Sequence, residues 1–184
     1  MWASRGIRQW CTWAPDPHTL GSQQDIESEV QFLLQIRGEM SDVAGMINHI
    51  EWTRKQLEDV QKMFGDEPKY APVVKAAKEL EQKAIVAEGK LVDPTLTGRT
   101  EDSFRAPMGL YERLTYLGAL LNGSPGEGSS GADLPPTDQA IEVNKEFQEQ
   151  IATARGAFDE LMVKDTAAFN QALKANHLTL SILP

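Results

Sequence analysis

The sequence predicts an all-α fold: an antiparallel helical bundle of four main helices plus a short C-terminal helix, with an irregular N-terminal arm in front. Three observations lead there. Apolar residues recur at three- and four-residue steps from Ile26 to Leu173. Capping residues precede those runs, and Gly or Pro follows them. The one segment without helical period, residues 1–13, does not alternate as a strand either.

The first helix opens at Ser22, whose spacing to Asp25 is that of a capping box. Ile26, Val30, Leu33, Ile36, Met40, Val43, Ile47, Ile50, Leu57, Val60 and Phe64 then follow at a period near 3.5, which describes a single helix of about forty residues. Arg54 falls at a seam position in this reading, and Gly38 and Gly45 are the points where the rod could bend or admit a neighbour. Gly65 and Pro68 end it. The second helix starts near Pro72 and sets Val73, Ala77, Leu80, Ala84, Ala87 and Leu91 on one face, small enough for close approach to the first, until Asp93 and Pro94 stop it. The third begins with Pro107 as its first helical residue and turns Met108, Tyr111, Leu114, Leu117, Gly118 and Leu121 inward, closing at Asn122 and Gly123. Residues 122–136 are rich in Gly, Ser and Pro and read as a flexible connection. Thr137 caps the fourth helix, with Ile141, Phe147, Ile151, Ala154, Phe158 and Leu161 inward, and Asp165 is expected to cap a short fifth that carries Phe169 and Leu173. The apolar tail LTLSILP should lie across the bundle. The chain thus divides into an arm, 1–21, and a bundle, 22–184.

Composition narrows the partners. With 18 Lys plus Arg against 27 Asp plus Glu, the formal charge is −9, spread along the helices. Such a surface repels phosphate backbones and anionic headgroups, so neither nucleic acid nor a membrane surface is an expected partner. No apolar run approaches the roughly 18 residues of a spanning helix. The single cysteine, Cys11, cannot form a disulfide within the chain. The opening residues fail as a signal peptide, because Gln9, Cys11, Thr12 and then Pro15, Asp16 and Pro17 interrupt any apolar region; a cytoplasmic location is expected.

The segments QQDIESEVQFLLQIRGEMSDVAGMINHIEWTRKQL, LTGRTEDSFRAPMGLYERLTYLGALLNG, LPPTDQAIEVNKEFQEQI and DTAAFNQALKANHLTLSI, in that order, resemble the C-terminal helical module of bacterial sortilin-like proteins. The resemblance spans residues 15 to 182 and includes PDPH before the first helix and FRAPMGLYERL at the third. Members of that family are exported and carry a β-propeller of Asp-box (BNR) repeats that is often described as glycosyl-hydrolase-like. The resemblance implies a packing or interaction element detached from its propeller, begun inside a longer gene or cut from one. It implies no catalytic residue in this portion, and residues 1–13 depart from the family pattern.

Candidate chemistry is sparse. His18, His49 and His177 are far apart in sequence, and the residues three and four positions from His49 (Gly45, Met46, Trp52 and Thr53) are not metal ligands. No HExxH, CxxC or ExxH occurs, and neither a metal nor a cofactor is expected. Glu101 and Asp102 lie between Arg99 and Arg105, a spacing that suits loop ion pairs. Tyr111 reads as a core aromatic beside the solvated charges Glu112 and Arg113. The glycines of 122–131 lack the GxxxxGK pattern of a phosphate loop.

Two functions of different class follow. In the first, the chain is a non-enzymatic helical module, self-associating as a homo-oligomer through the apolar seam of its first helix or through its tryptophans. In the second, Cys11 is a nucleophile with His18 or His49 as base, in a pocket between arm and bundle that hydrolyses small activated esters or phosphotriesters.

Overall fold

The computed structural model describes residues 21–93, 108–121 and 134–183, and all of their regular structure is helical. Five α-helices follow in order: α1 Gln23–Phe64, α2 Ala71–Glu88, α3 Leu110–Leu121, α4 Asp138–Asp159 and α5 Thr166–Ala175. A 3₁₀ turn, Pro68–Tyr70, leads into α2, and a π-helical stretch, Glu160–Asp165, joins α4 to α5. The all-α fold expected from periodicity is therefore present.

α1 runs unbroken for 42 residues, about 63 Å at 1.5 Å per residue. Its first turn is closed as the capping-box spacing predicts. Ser22 Oγ accepts the Asp25 backbone N–H at 3.2 Å, and the Ser22 N–H donates to the Asp25 carboxylate at 2.8 Å. The buried stripe repeats in heptads, with Ile36, Val43, Ile50, Leu57 and Phe64 in one column and Met46, Thr53 and Val60 in the other. This corrects part of the predicted seam. Met40, Ile47 and Arg54 flank the stripe half-buried, and Val30 is 44% exposed, while Phe32, Met46 and Thr53 take the inward positions. The rod continues through Gly38 and Gly45, with Ile36, Val43 and Met46 buried beside them, against the roughly 1 kcal/mol that each glycine costs.

Side-chain pairs give the helix directions. Gln61 donates to Glu81 at 2.7 Å and Arg54 pairs with Glu88, so α2 runs antiparallel to the C-terminal half of α1. The Tyr111 N–H donates to Leu91 O at 2.9 Å, and a Cβ on Gly118 would meet Ile36 at 3.5 Å. α3 therefore continues the return path along the N-terminal half. α4 travels in the same direction as α1, since Glu39 meets Gln148, Asp42 meets Arg155 and Thr53 meets Met162. α5 continues upward beside α2, with Lys83 bound to Asp165 at 2.6 Å. The core lies between three tracks: α1, α2 followed by α3, and α4 followed by α5. Each fully buried aliphatic on the shared stripe contributes on the order of 1.5–3 kcal/mol relative to exposure.

Element ends differ from expectation in three places. α2 stops at Glu88 with Gly89 as its cap, before Asp93, and Leu91 reaches the core from the turn that follows. α3 begins at Leu110, leaving Met108 outside the helix, and Pro107 lies outside the described residues. Gly109 is required there, because a Cβ would approach Val92 Cα to 2.8 Å and Asp93 N to 2.9 Å. Asp165 caps no helix: its backbone is αR within a continuous helical rod, and its carboxylate serves Lys83. Thr137 does cap α4, accepting the Ala140 N–H at 3.2 Å. Of the expected connection 122–136, only 134–136 are described, and they are not helical.

The tail returns as predicted. The chain leaves α5 through a Schellman turn, with the Leu178 N–H on Leu173 O at 3.0 Å, the His177 N–H on Lys174 O at 3.0 Å and His177 at φ 60°. Asn170 then exchanges two hydrogen bonds with the Ile182 backbone, Gln56 exchanges two with Leu183, and Ile182 is 3% exposed.

Candidate functional site

Of the three residues proposed for nucleophilic chemistry, Cys11 and His18 lie outside the described residues, as do Glu101, Asp102 and the glycines of 122–131. His49 is exposed on α1, its ring 6.1 Å from that of Phe158 at a 47° tilt, an aromatic packing contact. His177 is exposed and serves the α5 terminus through its backbone. Among the described residues, no group of three His, Cys, Asp or Glu side chains is placed to hold a metal ion. No helix there is long and apolar enough to cross a membrane.

The polar groups that enter the bundle tie helices together. Glu88 is 3% exposed at the end of α2 and pairs with Arg54 of α1. Beside it the Thr53 hydroxyl donates to Met162 Sδ at 3.7 Å, and Thr166 donates to Leu161 O at 3.0 Å, holding the widened π turn against α1. A second cluster sits nearer the start of α1, where Glu39 accepts from Asn144 at 3.2 Å, Gln148 at 2.7 Å and Gln35 at 3.0 Å. Glu39 falls in the same heptad column as Met46 and Thr53, so this cluster is a polar layer in the α1–α4 seam, the kind of layer that fixes helix register. Arg113 is not the solvated charge expected from sequence. Its guanidinium lies 5.3 Å from the Phe147 ring and donates to Gln150 at 2.6 Å and to Gly109 O at 3.3 Å, joining α3 to α4. At the surface, the hydrogen bond to Asp165 holds the Lys83 ammonium above the ordinary lysine range.

A hollow of about 650 Å³ lies where the end of α2 faces α4 and is lined by Lys90, Glu146, Glu149, Gln150, Thr153 and Ala154. Lys90 also borders a 480 Å³ hollow toward Asp165 and a 300 Å³ one beside Met108. These are open grooves whose mixed charge suits polar contact, and no cysteine, serine or histidine lines them among the described residues.

Large apolar side chains also face solvent. Trp52 is 67% exposed, Met63 60%, Val86 64%, Val163 69% and Tyr116 54%. Most of the first-helix seam named from sequence as an association surface is covered by α2, α3 and α4, while Val30 near its start stays 44% exposed. Periodicity could have flagged Trp52, which lies across the helix from Ile50 and Leu57. The buried position of Glu88 carries no sequence signal, since a lone carboxylate near a helix end ordinarily faces water. Comparison with protein-family models, with curated proteins and with solved structures gives no match for this chain.

Proposed function

We propose that this chain works as a helical interaction module, a stiff rod that presents surfaces to partners rather than a reaction centre. The observation that carries this reading is the division of labour among its side chains. The interior polar groups, Arg54 with Glu88 and Glu39 with Asn144, are engaged between helices, while Trp52, Met63, Val86 and Val163 stand in water on the outside. Exposed apolar side chains of that size build an association surface where they stand together as one patch. The resemblance of segments 15–182 to the helical module of sortilin-like proteins supports the same reading.

The test is a hydrolysis assay of the purified chain on an activated aryl acetate and an aryl phosphotriester, beside its Cys11→Ser variant. The expected result is turnover no faster than buffer for both proteins. Turnover that disappears in Cys11→Ser would replace the module with an esterase that uses a thiolate nucleophile.

A further inference from the structure

We propose that the outward face of α1 between Leu34 and Trp52 is a two-fold self-association surface on which a second copy of this chain lies antiparallel. The proposal rests on the interaction-module reading and names its partner. Leu34, Gly38, Ser41, Gly45, Asn48 and Trp52 are all exposed, and they follow one another in alternating steps of four and three. That spacing forms a second stripe along α1, opposite the buried heptads.

Among the described residues nothing packs on this stripe. Nothing lies within 4 Å of where a Cβ on Gly38 or Gly45 would be. Each glycine nonetheless weakens an exposed helix by roughly 1 kcal/mol relative to Ala. The large side chains Leu34, 41% exposed, and Trp52, 67% exposed, stand at the two ends of the stripe.

Side-chain size is symmetric about residue 43, and the charges of Arg37 and Glu51 about residue 44, one residue away. Reversing a second α1 across residue 43 sets Leu34 against the second copy's Trp52, Gly38 against Asn48 and Ser41 against Gly45. The small residues then fall at the crossing, where two backbones come closest, and the bulky ones fill the ends. Arg37 and Glu51 lie on one flank of the stripe, about 21 Å apart along the axis, too far to pair within one helix. Both are exposed, and neither has an ion pair among the described residues. In the antiparallel arrangement each Arg37 comes within about 3 Å along the axis of the second copy's Glu51 on the same flank, twice over by symmetry, whereas a parallel two-fold pair puts those flanks on opposite sides of the contact. Such self-complementarity is what an isologous interface requires, and it selects a second copy over an unrelated helix.

Sedimentation equilibrium of the full chain, with reductant present so that Cys11 cannot cross-link it, tests the proposal from micromolar to near-millimolar concentration. The wild-type chain is expected to form a concentration-dependent dimer. Gly45→Glu should raise the dissociation constant at least about tenfold by burying two carboxylates at the crossing, and it should raise the melting temperature of the monomer, because Glu is the better helix former. Arg37→Glu should weaken the dimer, and Arg37→Glu combined with Glu51→Arg should restore it. A wild-type monomer throughout, or a dimer indifferent to Gly45→Glu, would overturn this face as the site. A double swap that fails to restore would overturn the antiparallel arrangement. These outcomes are separable from a failure of the module reading, which would appear as Cys11-dependent turnover.

Discussion

Replacing Arg54 by Met should destabilise the chain by about 3 kcal/mol, because it strands the Glu88 carboxylate in the interior. The Glu88 side chain is 5% exposed, and Arg54 is its ion-pair partner. Removing one member of a buried pair costs about 3–5 kcal/mol, and the lower end applies because the Arg54 side chain is 33% open and solvent screens that flank. For a chain of this length, about 3 kcal/mol lowers the melting temperature by roughly 6–12 °C. Urea unfolding followed by helical circular dichroism reads the same loss as a lower midpoint at constant slope. The decisive comparison is Arg54→Met with Glu88→Leu, which removes both charges and should recover most or all of the loss. If the single variant stays within about 1 kcal/mol of wild type, or the double variant is no better than the single, Glu88 is not held as argued here.

Three other outcomes follow from local geometry. Leu57→Ala, at a position 0% exposed on the shared stripe, should cost about 3 kcal/mol in the same urea assay, from lost transfer energy and the cavity left behind. His177→Gly should stabilise by about 0.5–1 kcal/mol by relieving the left-handed backbone at φ 60°, seen as a higher midpoint with unchanged slope. The Ser22 hydroxyl and N–H hold the Asp25 carboxyl below its ordinary value. Its folded value therefore lies below its unfolded one. The cap's contribution is complete above the unfolded value and is lost as pH falls through the lowered one. Protection of the Asp25 and Ile26 amides, taken relative to their intrinsic exchange at each pH, should fall over that acid window in wild type, with no such step in Asp25→Asn.

Much of the architecture was legible because it rests on local rules. Ser22 and Thr137 cap the helices that their spacing announces, and the alanine-rich face of α2 is buried from Val73 to Ala87. The error in α1 has a physical cause. The larger apolar residues Met40 and Ile47 attract a seam reading, and Arg54 then falls in register with them. The observed stripe passes through Glu39, Met46 and Thr53, because α4 supplies Asn144, and the π stretch after it Met162, as partners for the polar members. Such pairings are non-local and leave no periodic trace. Asp165 was misread for a related reason: a carboxylate ahead of an apolar run resembles a cap, yet here the helix never breaks. Of the candidate nucleophilic set, only His49 is described, and its environment is Phe158.

The π stretch Glu160–Asp165 sets a limit on how this chain can vary in length. It accommodates one residue more than an α-helix would over the same rise. A single deletion there would let ordinary α geometry resume over nearly the same rise and the same number of turns, so the helix downstream would keep its phase. Phe169 and Leu173 would stay buried, and Asn170 would keep its bonds to the C-terminal segment. A deletion in the regular turns of α4, where no extra residue is stored, would instead rotate everything after it by about 100°. This half-dozen residues is therefore the place in the rod where the chain should tolerate the loss of one residue, and of no more than one.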